Sequence, residues 1–465
     1  MSDTVTSMAT EQTVSVRTVD ERVRGYDAAV CGAELHRWIR ELYPICRSIT
    51  GDGLRTTLRW IQQHVPLQIR EVASGTPVFD WTVPDEWNIA DAYIKNGAGE
   101  RVVDFRRCNL HVVSYSVPVH RKMTRAELAE HVFTLPEHPD WIPYRATYCQ
   151  PTWGFCLSQR QWDALPEGTY EVCIQSRLEP GCLSYGELYL PGRQGEEVLI
   201  STHACHPSMC NDNLSGVVVS TMLARAMARV ERRYGYRFLF VPGTFGSITW
   251  LARNEDRVGR IRHGLVLACL GDAGPMRYKR SRRGRAEIDR VAEAILAEGG
   301  RSAQIRDFEP FGDDERQYCS PGFNLPVGTL SRSPYGTFPE CHSSADDPDF
   351  VRPEALADSL LTCLRIIQFL ERNEVWINTQ PKCEPQLGRR GLFEPAWAAD
   401  AARVRMAIQW VLNLSDGQHD LLDIRERSGL DAHLLFEAVD ALRAVGLLAE
   451  PPVSISHPAL TSGCE

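Results

Sequence analysis

One short stretch of the chain concentrates residues that could hold a metal. Ser201–Gly216 reads STHACHPSMCNDNLSG, with two histidines, an aspartate and two cysteines. Imidazole nitrogen and carboxylate oxygen are both good zinc ligands, and a carboxylate can bridge two cations. His203 and Asp212 are therefore candidate ligands, and His206 could replace His203 or hydrogen-bond a ligand from behind. The His-x-Cys-His spacing does not decide between them. A second cluster, PECHSSADD (339–347), sets His342 between Glu340 and Asp346. A third carboxylate, Asp272, stands in LACLGDAG at the end of an apolar run. A lone histidine is usually a satisfied polar residue and a lone aspartate a turn cap. Two His-bearing loops in one α/β domain point instead to shared ligation.

Other residues near these clusters suit proton transfer or substrate binding. Asp313, Asp314, Glu315 and Glu340 could act as a general base, with Asp314, Glu315 and Glu340 the catalytic candidates. Arg277, Tyr278, Lys279 and Arg282 follow Asp272 closely and could clamp a carboxylate or phosphate, although a solvated basic loop explains them as well. Arg316 and Tyr318 make a similar, weaker case. Cys205, Cys210, Cys319 and Cys341 flank the same segments. A neighbouring histidine can activate a thiol, but small residues buried in tight loops are the preferred reading.

These loops need rigid elements to aim them. Glu197–Ser201 (EVLIS) reads as a buried strand directly before the first cluster, and Leu214–Val230 as the helix after it. Tyr236–Val241 and Leu265–Leu270 read as further strands; Ile288–Glu298 and Pro353–Leu370 read as helices. Upstream, Leu35, Trp38, Ile39 and Leu42, then Leu54, Leu58 and Ile61, recur at helical spacing. Strands alternating with helices imply a mixed, mostly parallel sheet flanked by helices, with ligands beyond strand C-termini. The expected organisation is a tail without structure (1–24), an α/β domain in two pieces (25–75 and 165–378), a small β-rich insertion (76–164) and a C-terminal helical unit with a short wing (385–460). Aromatic residues of the insertion, among them Trp81 and Trp141, could shape the pocket or simply form its core.

Composition narrows the function classes. The chain has 465 residues, 43% hydrophobic and 24% charged, as a soluble globular protein of two or three domains has. No apolar run approaches the ~20 residues of a membrane span, and the polar N-terminus is no signal peptide. A net charge of −9 speaks against broad nucleic-acid binding. The fifteen cysteines are irregularly spaced without a CxxC pair, which points to reduced thiols in a cytoplasm. The C-terminal helices carry Asp420, Asp423, Glu426, Asp431, Glu437 and Asp440, charges that would repel phosphates. That unit is expected to pack or to form a homo-oligomer and not to read DNA.

The motifs together resemble a known family. NDNLSG (Asn211–Gly216) behind His203 resembles the His…Asn-Asp-Asn-x-Ser-Gly element of co-catalytic zinc aminopeptidases, the group that includes glutaminyl cyclases. LACLGD and CHSSADD resemble their later ligand-bearing segments, and GDDERQYCSPGFNLPVG (Gly312–Gly328) their substrate-side segment. With VFDWTVPDEWNIADAYI (Val78–Ile94) and PGTFGSITWLARNE (Pro242–Glu255), the chain is more similar still to a bacterial family of aminopeptidase-like proteins. Its members have an inserted β-rich domain and a C-terminal winged helix, and their genes often lie among polysaccharide or natural-product genes. The resemblance implies a zinc-aminopeptidase-like fold and one or two zinc ions, or another divalent metal such as iron, on His203, Asp212, Asp272 and His342.

The chain departs from that pattern at one point. Zinc aminopeptidases carry two glutamates before a Gly-Ser, one a general base and one a second-metal ligand. Here the stretch is Phe240-Val-Pro-Gly-Thr-Phe-Gly-Ser247, without a carboxylate. Removing a positioned acid–base costs ~10²–10⁴ in rate. The leading expectation is a metal-dependent enzyme acting on an amide or aminoacyl bond of a small metabolite in a biosynthetic pathway. The alternatives are an acyl or aminoacyl transferase or ligase with a Lewis-acid metal, and a non-catalytic scaffold or ligand-binding protein.

Overall fold

The computed structural model describes residues 18–148, 150–298, 302–392 and 399–451. They divide into two compact units, the first drawn from residues up to 289 and from 302–367, the second from 290–301 and the chain after 368.

The first unit is built on an eight-stranded sheet: β1 (Gln68–Ala73), β2 (Cys182–Leu190), β3 (Glu197–His203), β4 (Gly235–Val241), β5 (Ile261–Leu267), β6 (Arg277–Lys279), β7 (Gln304–Arg306) and β8 (Val327–Ser331). Their order is β1-β2-β4-β3-β5-β8-β6-β7. The middle four, β4-β3-β5-β8, are parallel, while β2 and β6 join their neighbours antiparallel. β3 and β4 are buried along their whole length, so their near-continuous apolar runs suit a sheet covered on both faces. Helix α1 (Ala28–Leu42) buries Leu35, Trp38, Ile39 and Leu42, and α2 (Asp52–Gln62) buries Leu54, Leu58 and Ile61, the stripes read from the sequence. Helix α3 (Gly216–Met227) follows an irregular turn at Cys210–Ser215. It begins on a glycine because a Cβ there would meet Leu267 O at 2.5 Å. The described residues hold no helix long and apolar enough to cross a membrane.

A second, four-stranded sheet lies within this unit. Glu86–Lys95 pairs with Arg101–Asp104 and with Thr169–Glu179, and the last also pairs with Val119–Thr124. Ala92, Ile94, Val112, Phe155, Val172 and Ile174 form its own core. Thr169–Glu179 lies beyond the 164 boundary read from the sequence. The expected tail needs a correction at its end. Residues up to 17 lie outside the described ones, but Val19–Arg24 is helical, with Thr18 and Glu21 forming a reciprocal capping box.

The second unit contains helices Ala399–Leu414, Leu421–Ser428 and Ala432–Ala444 and a sheet in which Val375–Asn378 lies between Asp416–Asp420 and Leu448–Ala449. Val375–Asn378 precedes the 385 boundary, because a four-residue strand carries little periodicity to read. Several of the acidic side chains noted above are neutralised locally: Arg290 meets Asp423 and Glu426, Arg403 meets Asp431, and Arg372 meets Asp440.

The principal sheet holds one buried charge cluster. Arg237 on β4 donates to Glu197 at 2.7 Å and Glu187 at 2.6 Å, and Trp250 Nε1 donates to Glu187 as well. Removing the shared cation strands buried Glu197 and leaves Glu187 only Arg70 at 3.5 Å and the Trp250 N–H, so Arg237→Met is expected to lose about 3–5 kcal/mol in urea unfolding at pH 7. A loss below about 1 kcal/mol would refute this account.

Candidate metal centre

The parallel strands end at one edge, and the residues just past their ends enclose a cavity of about 290 Å³. His203 is the last residue of β3, and Gly243 and Thr244 follow β4. Asp313 and His342 come from the two loops on either side of β8. Ligands in open α/β sheets bind at such an edge.

Asp212 is the hub. It is buried, with Oδ1 2.8 Å from His203 Nε2 and 3.3 Å from His206 Nδ1, and Oδ2 3.0 Å from His342 Nε2. Two groups of possible ligands share it: His203, His206 and Asp212 on one side, and Asp212, Cys341 and His342 on the other. Within each group the ligand atoms lie within 4.8 Å of one another. The two loops read from the sequence therefore meet, and His206 joins His203, where the family resemblance implied His203 alone. Cys341 was noted there only as a flanking thiol. Its adjacency to His342 is the signal that could have marked it.

The electrostatics follow from the crowding. Burial disfavours charge on both His203 and Asp212, but their mutual hydrogen bond and attraction win. His203 is raised to about 9, and Asp212, which also feels His206, is held well below the usual carboxylate range. Burial lowers His206 below its ordinary value. The thiols move the other way: burial pushes Cys205 and Cys341 each up to about 12, which speaks against a thiolate nucleophile.

Two polar networks hold Asp212 in place. Asp346, from the His342 loop, accepts the backbone N–H groups of Cys210, Asn211 and Asp212 at 2.5–3.1 Å. Burial pushes Asp346 up to about 8 against the pull of those donors. Asn211, Asn213 and Ser215 accept the N–H groups of Gly271, Cys269 and Leu270, pinning the chain after β5 to the turn that carries Asp212. Behind His206, buried Arg47 donates to its carbonyl at 2.8 Å. The segment joining Val119–Thr124 to Thr169–Glu179 contributes a wall: Tyr144 N–H donates to His342 O at 2.7 Å, and its ring lies 5.4 Å from that of His206 and 5.1 Å from that of His342. Phe311 and Tyr335 line the mouth.

Several expected site residues do other work. Asp272 is not brought to the imidazoles; its oxygens accept from Asn211 Nδ2, Gly274 N and both donors of Ser333, so the turn consumes it. Glu340 does not line the cavity, and its carbonyl accepts from Ser343. Glu315 is fully buried, ion-paired with Lys279 and bonded by Thr329, with burial raising it to about 7. Tyr318 is buried with its hydroxyl on Ser201, and Tyr278 is buried with its hydroxyl on Asp289. Strand alternation turns Tyr278 inward, and Tyr318 is buried at the end of the short helix Glu315–Tyr318. Lys279 lines the next cavity rather than this one. Arg316 lines the cavity but spends its guanidinium on Gly312 O and Thr244 Oγ1.

Two carboxylates do reach the cavity. Asp313 lines it, raised by burial and by the charge of Asp212. Asp314 accepts from Thr244 N and Ser247 Oγ through Oδ1, while its buried Oδ2 has no hydrogen-bond partner. A Cβ at Gly243 would stand 3.6 Å from both Cys205 Sγ and His203 Cβ, ordinary contact distances. The position without a glutamate therefore faces the first imidazole.

Comparison with known proteins agrees with this architecture. The family model described as domain of unknown function (DUF4910) matches residues 36–373, and a winged helix-turn-helix model matches 374–450. A Clostridium acetobutylicum protein named for polysaccharide biosynthesis and an aminopeptidase-like domain is 51% identical over 418 residues, covering 90% of this chain and 96% of its own. A crystal structure from the same organism, described as a peptidase, matches with a TM-score of 0.88 at 49% identity over 93% of this chain and 99% of that one. The zinc aminopeptidase BSAP of Bacillus subtilis has a TM-score of 0.54 at 12% identity, covering 74% and 94% of the two chains. The fold is that of the zinc aminopeptidases.

A metal ligand must be an unprotonated imidazole, so a cation entering here competes with the proton on His203. That proton stabilises the metal-free fold fully below about pH 6.5, and the contribution is lost as pH rises through about 9. Zinc affinity is therefore expected to rise with pH, about tenfold per unit below 9, with release of roughly one proton. Chelator-competition titrations at pH 6.5 and 7.5 measure this; equal affinities would remove His203 from the ligand set.

Proposed function

We propose a function from one premise: the chain belongs to the DUF4910 family and folds as zinc aminopeptidases do. The reading is a divalent-metal enzyme acting on an amide or aminoacyl bond of a small molecule. His203, His206, Asp212 and His342 would hold one or two ions, with zinc the first candidate and iron the second. One observation carries it. Asp212 Oδ2 and His342 Nε2 are buried and 3.0 Å apart as an ion pair, yet neither makes a hydrogen bond of good geometry. Unsatisfied buried polar atoms are costly, and a cation accepting both lone pairs removes the cost. Bound there, a divalent ion supplies Lewis acidity toward a carbonyl.

The protein's own groups supply the proton chemistry. Asp313 is proposed as the acid–base, because a half-buried carboxyl that lines the cavity and is held above its ordinary value can both take and return a proton. Asp314 positions the segment by gripping Thr244. Arg316 ties the same threonine to Gly312, so the loops before β8 and after β4 move as one. A cavity of about 290 Å³ admits only a small group at the metal end. The Clostridium acetobutylicum relative's name supports a biosynthetic setting in which an aminoacyl or amide-bearing metabolite is the substrate.

A binding-only role is the second reading, favoured by the absence of a carboxylate at Gly243. The two separate cleanly. Metal-dependent turnover in a panel of aminoacyl anilides and amides of amino sugars supports the enzyme, and its absence with stoichiometric metal bound supports the binder. With an active substrate in hand, Asp313→Asn is expected to lower kcat by ~10²–10⁴ while metal content is retained. Adding Gly243→Glu should recover part of that loss, since the new side chain faces His203. Full activity in Asp313→Asn would discard Asp313 as the acid–base.

A further inference from the structure

A second cavity, of about 210 Å³, adjoins the metal cavity and shares Phe311, Gly312, Asp313 and Tyr335 with it. Its wall is the paired strands β6 and β8. Register places Arg277 opposite Ser331 and Lys279 opposite Thr329, so these four share one face while Tyr278 and Leu330 take the other. The two cations differ in their circumstances. Lys279 is ion-paired with Glu315 and donates to Phe311 O at 2.7 Å. Arg277 lines the cavity half-buried, its Nε is buried without a hydrogen-bond partner, and no carboxylate pairs with it among the described residues.

A guanidinium is a rigid fork of donors matched to a planar carboxylate, and a buried, unsatisfied donor is worth explaining. The remaining lining is balanced: Asp307 is paired with Arg280, exposed Arg306 stands with Glu309, and Asp313 adds a negative group toward the metal side. One uncommitted positive charge among these acids suits a single negative charge. A phosphate dianion would be repelled.

We propose that Arg277 is a specificity-determining residue: it binds a carboxylate on the substrate, one cavity away from the bond at the metal centre. The inference rests on the amide-directed reading of that centre and narrows it to amides bearing a carboxylate a few bonds from the scissile carbonyl. Arg277 acts by positioning and selection and takes no part in proton transfer.

The test uses the full chain, zinc-reconstituted and chelator-stripped, in calorimetric titrations with three small probes. These are succinate monohydroxamate, the same hydroxamate with its carboxylate replaced by a primary amide, and its phosphonate analogue. Hydroxamates chelate the metal, so zinc should tighten all three. The carboxylate form is expected to bind at least tenfold tighter than the amide form, with or without zinc. In Arg277→Gln the ratio between the two should fall to near one. No partner is stranded by that change, and circular dichroism checks that the variant folds. A carboxylate preference missing from the natural protein, or surviving in Arg277→Gln, overturns the proposal. Tighter binding of the phosphonate than the carboxylate overturns the choice of a monoanion. A preference that persists while zinc tightens none of the probes would sustain the subsite and refute the metal centre, so the two fail separately.

Discussion

The centre depends on one buried carboxylate shared among imidazoles. Asp212 is almost wholly removed from water, a place where an isolated negative charge is untenable. It stays ionised because His203, His206 and His342 surround its two oxygens. The imidazoles gather around that anion, with His203 and His206 4.9 Å apart ring to ring and His206 and His342 5.0 Å. Without the carboxylate, at least one of these rings would lose the partner that compensates its charge. A cation satisfies the same geometry with less residual polarity left over, since it uses the lone pairs that hydrogen bonding leaves idle.

Holding Asp212 that tightly constrains the backbone around it. Four non-glycine residues near the centre adopt positive φ: Ser208 at 38°, Thr244 at 63°, Cys269 at 51° and His342 at 55°. Such conformations cost of order 1–3 kcal/mol each and persist only where surrounding contacts over-determine them. Those contacts are visible: Asp314 accepts Thr244 N, Asn213 accepts Cys269 N, and the Tyr144 amide grips His342 O. Strain gathers where the strands end and side chains must be aimed inward. The parallel core thus serves as an anchor from which the distorted loops are suspended.

The sequence made the floor of this arrangement readable and left its walls obscure. Glu197–Ser201 and Tyr236–Val241 are apolar runs bounded by turns, and their strands appear with shifts of a residue or two at the ends. His203, Asp212 and His342 were legible because their types are rare and clustered. Asp272 misled because its neighbours are what decide its role: a carboxylate at a strand end serves a metal or a turn, and Ser333, far along the chain, settles it for the turn. Tyr278 and Tyr318 misled for a related reason. Proximity in sequence to charged residues says nothing of facing: Tyr278 alternates to the side of its strand opposite Arg277 and Lys279, and Tyr318 is buried at the end of a short helix. His206 was undecidable from spacing alone, since a loop leaving a strand can aim either ring.

The missing glutamate pair fits the same logic of a fixed anchor and variable loops. Gly243 and Thr244 sit at the one strand end where a carboxylate would have faced His203, and the space is present. Asp313 and Asp314 instead approach from the loop before β8, and Asp314 bonds the very residue after Gly243. The negative charge that the strand end lacks is thus delivered across the cavity from another segment. That exchange has a geometric consequence. A base on β4 approaches the centre from beside His203, whereas a base on the 312–316 loop approaches from the side of Phe311, Tyr335 and the adjoining cavity. The loop that carries both carboxylates therefore also borders the adjoining cavity, which shares Phe311, Gly312, Asp313 and Tyr335 with the first.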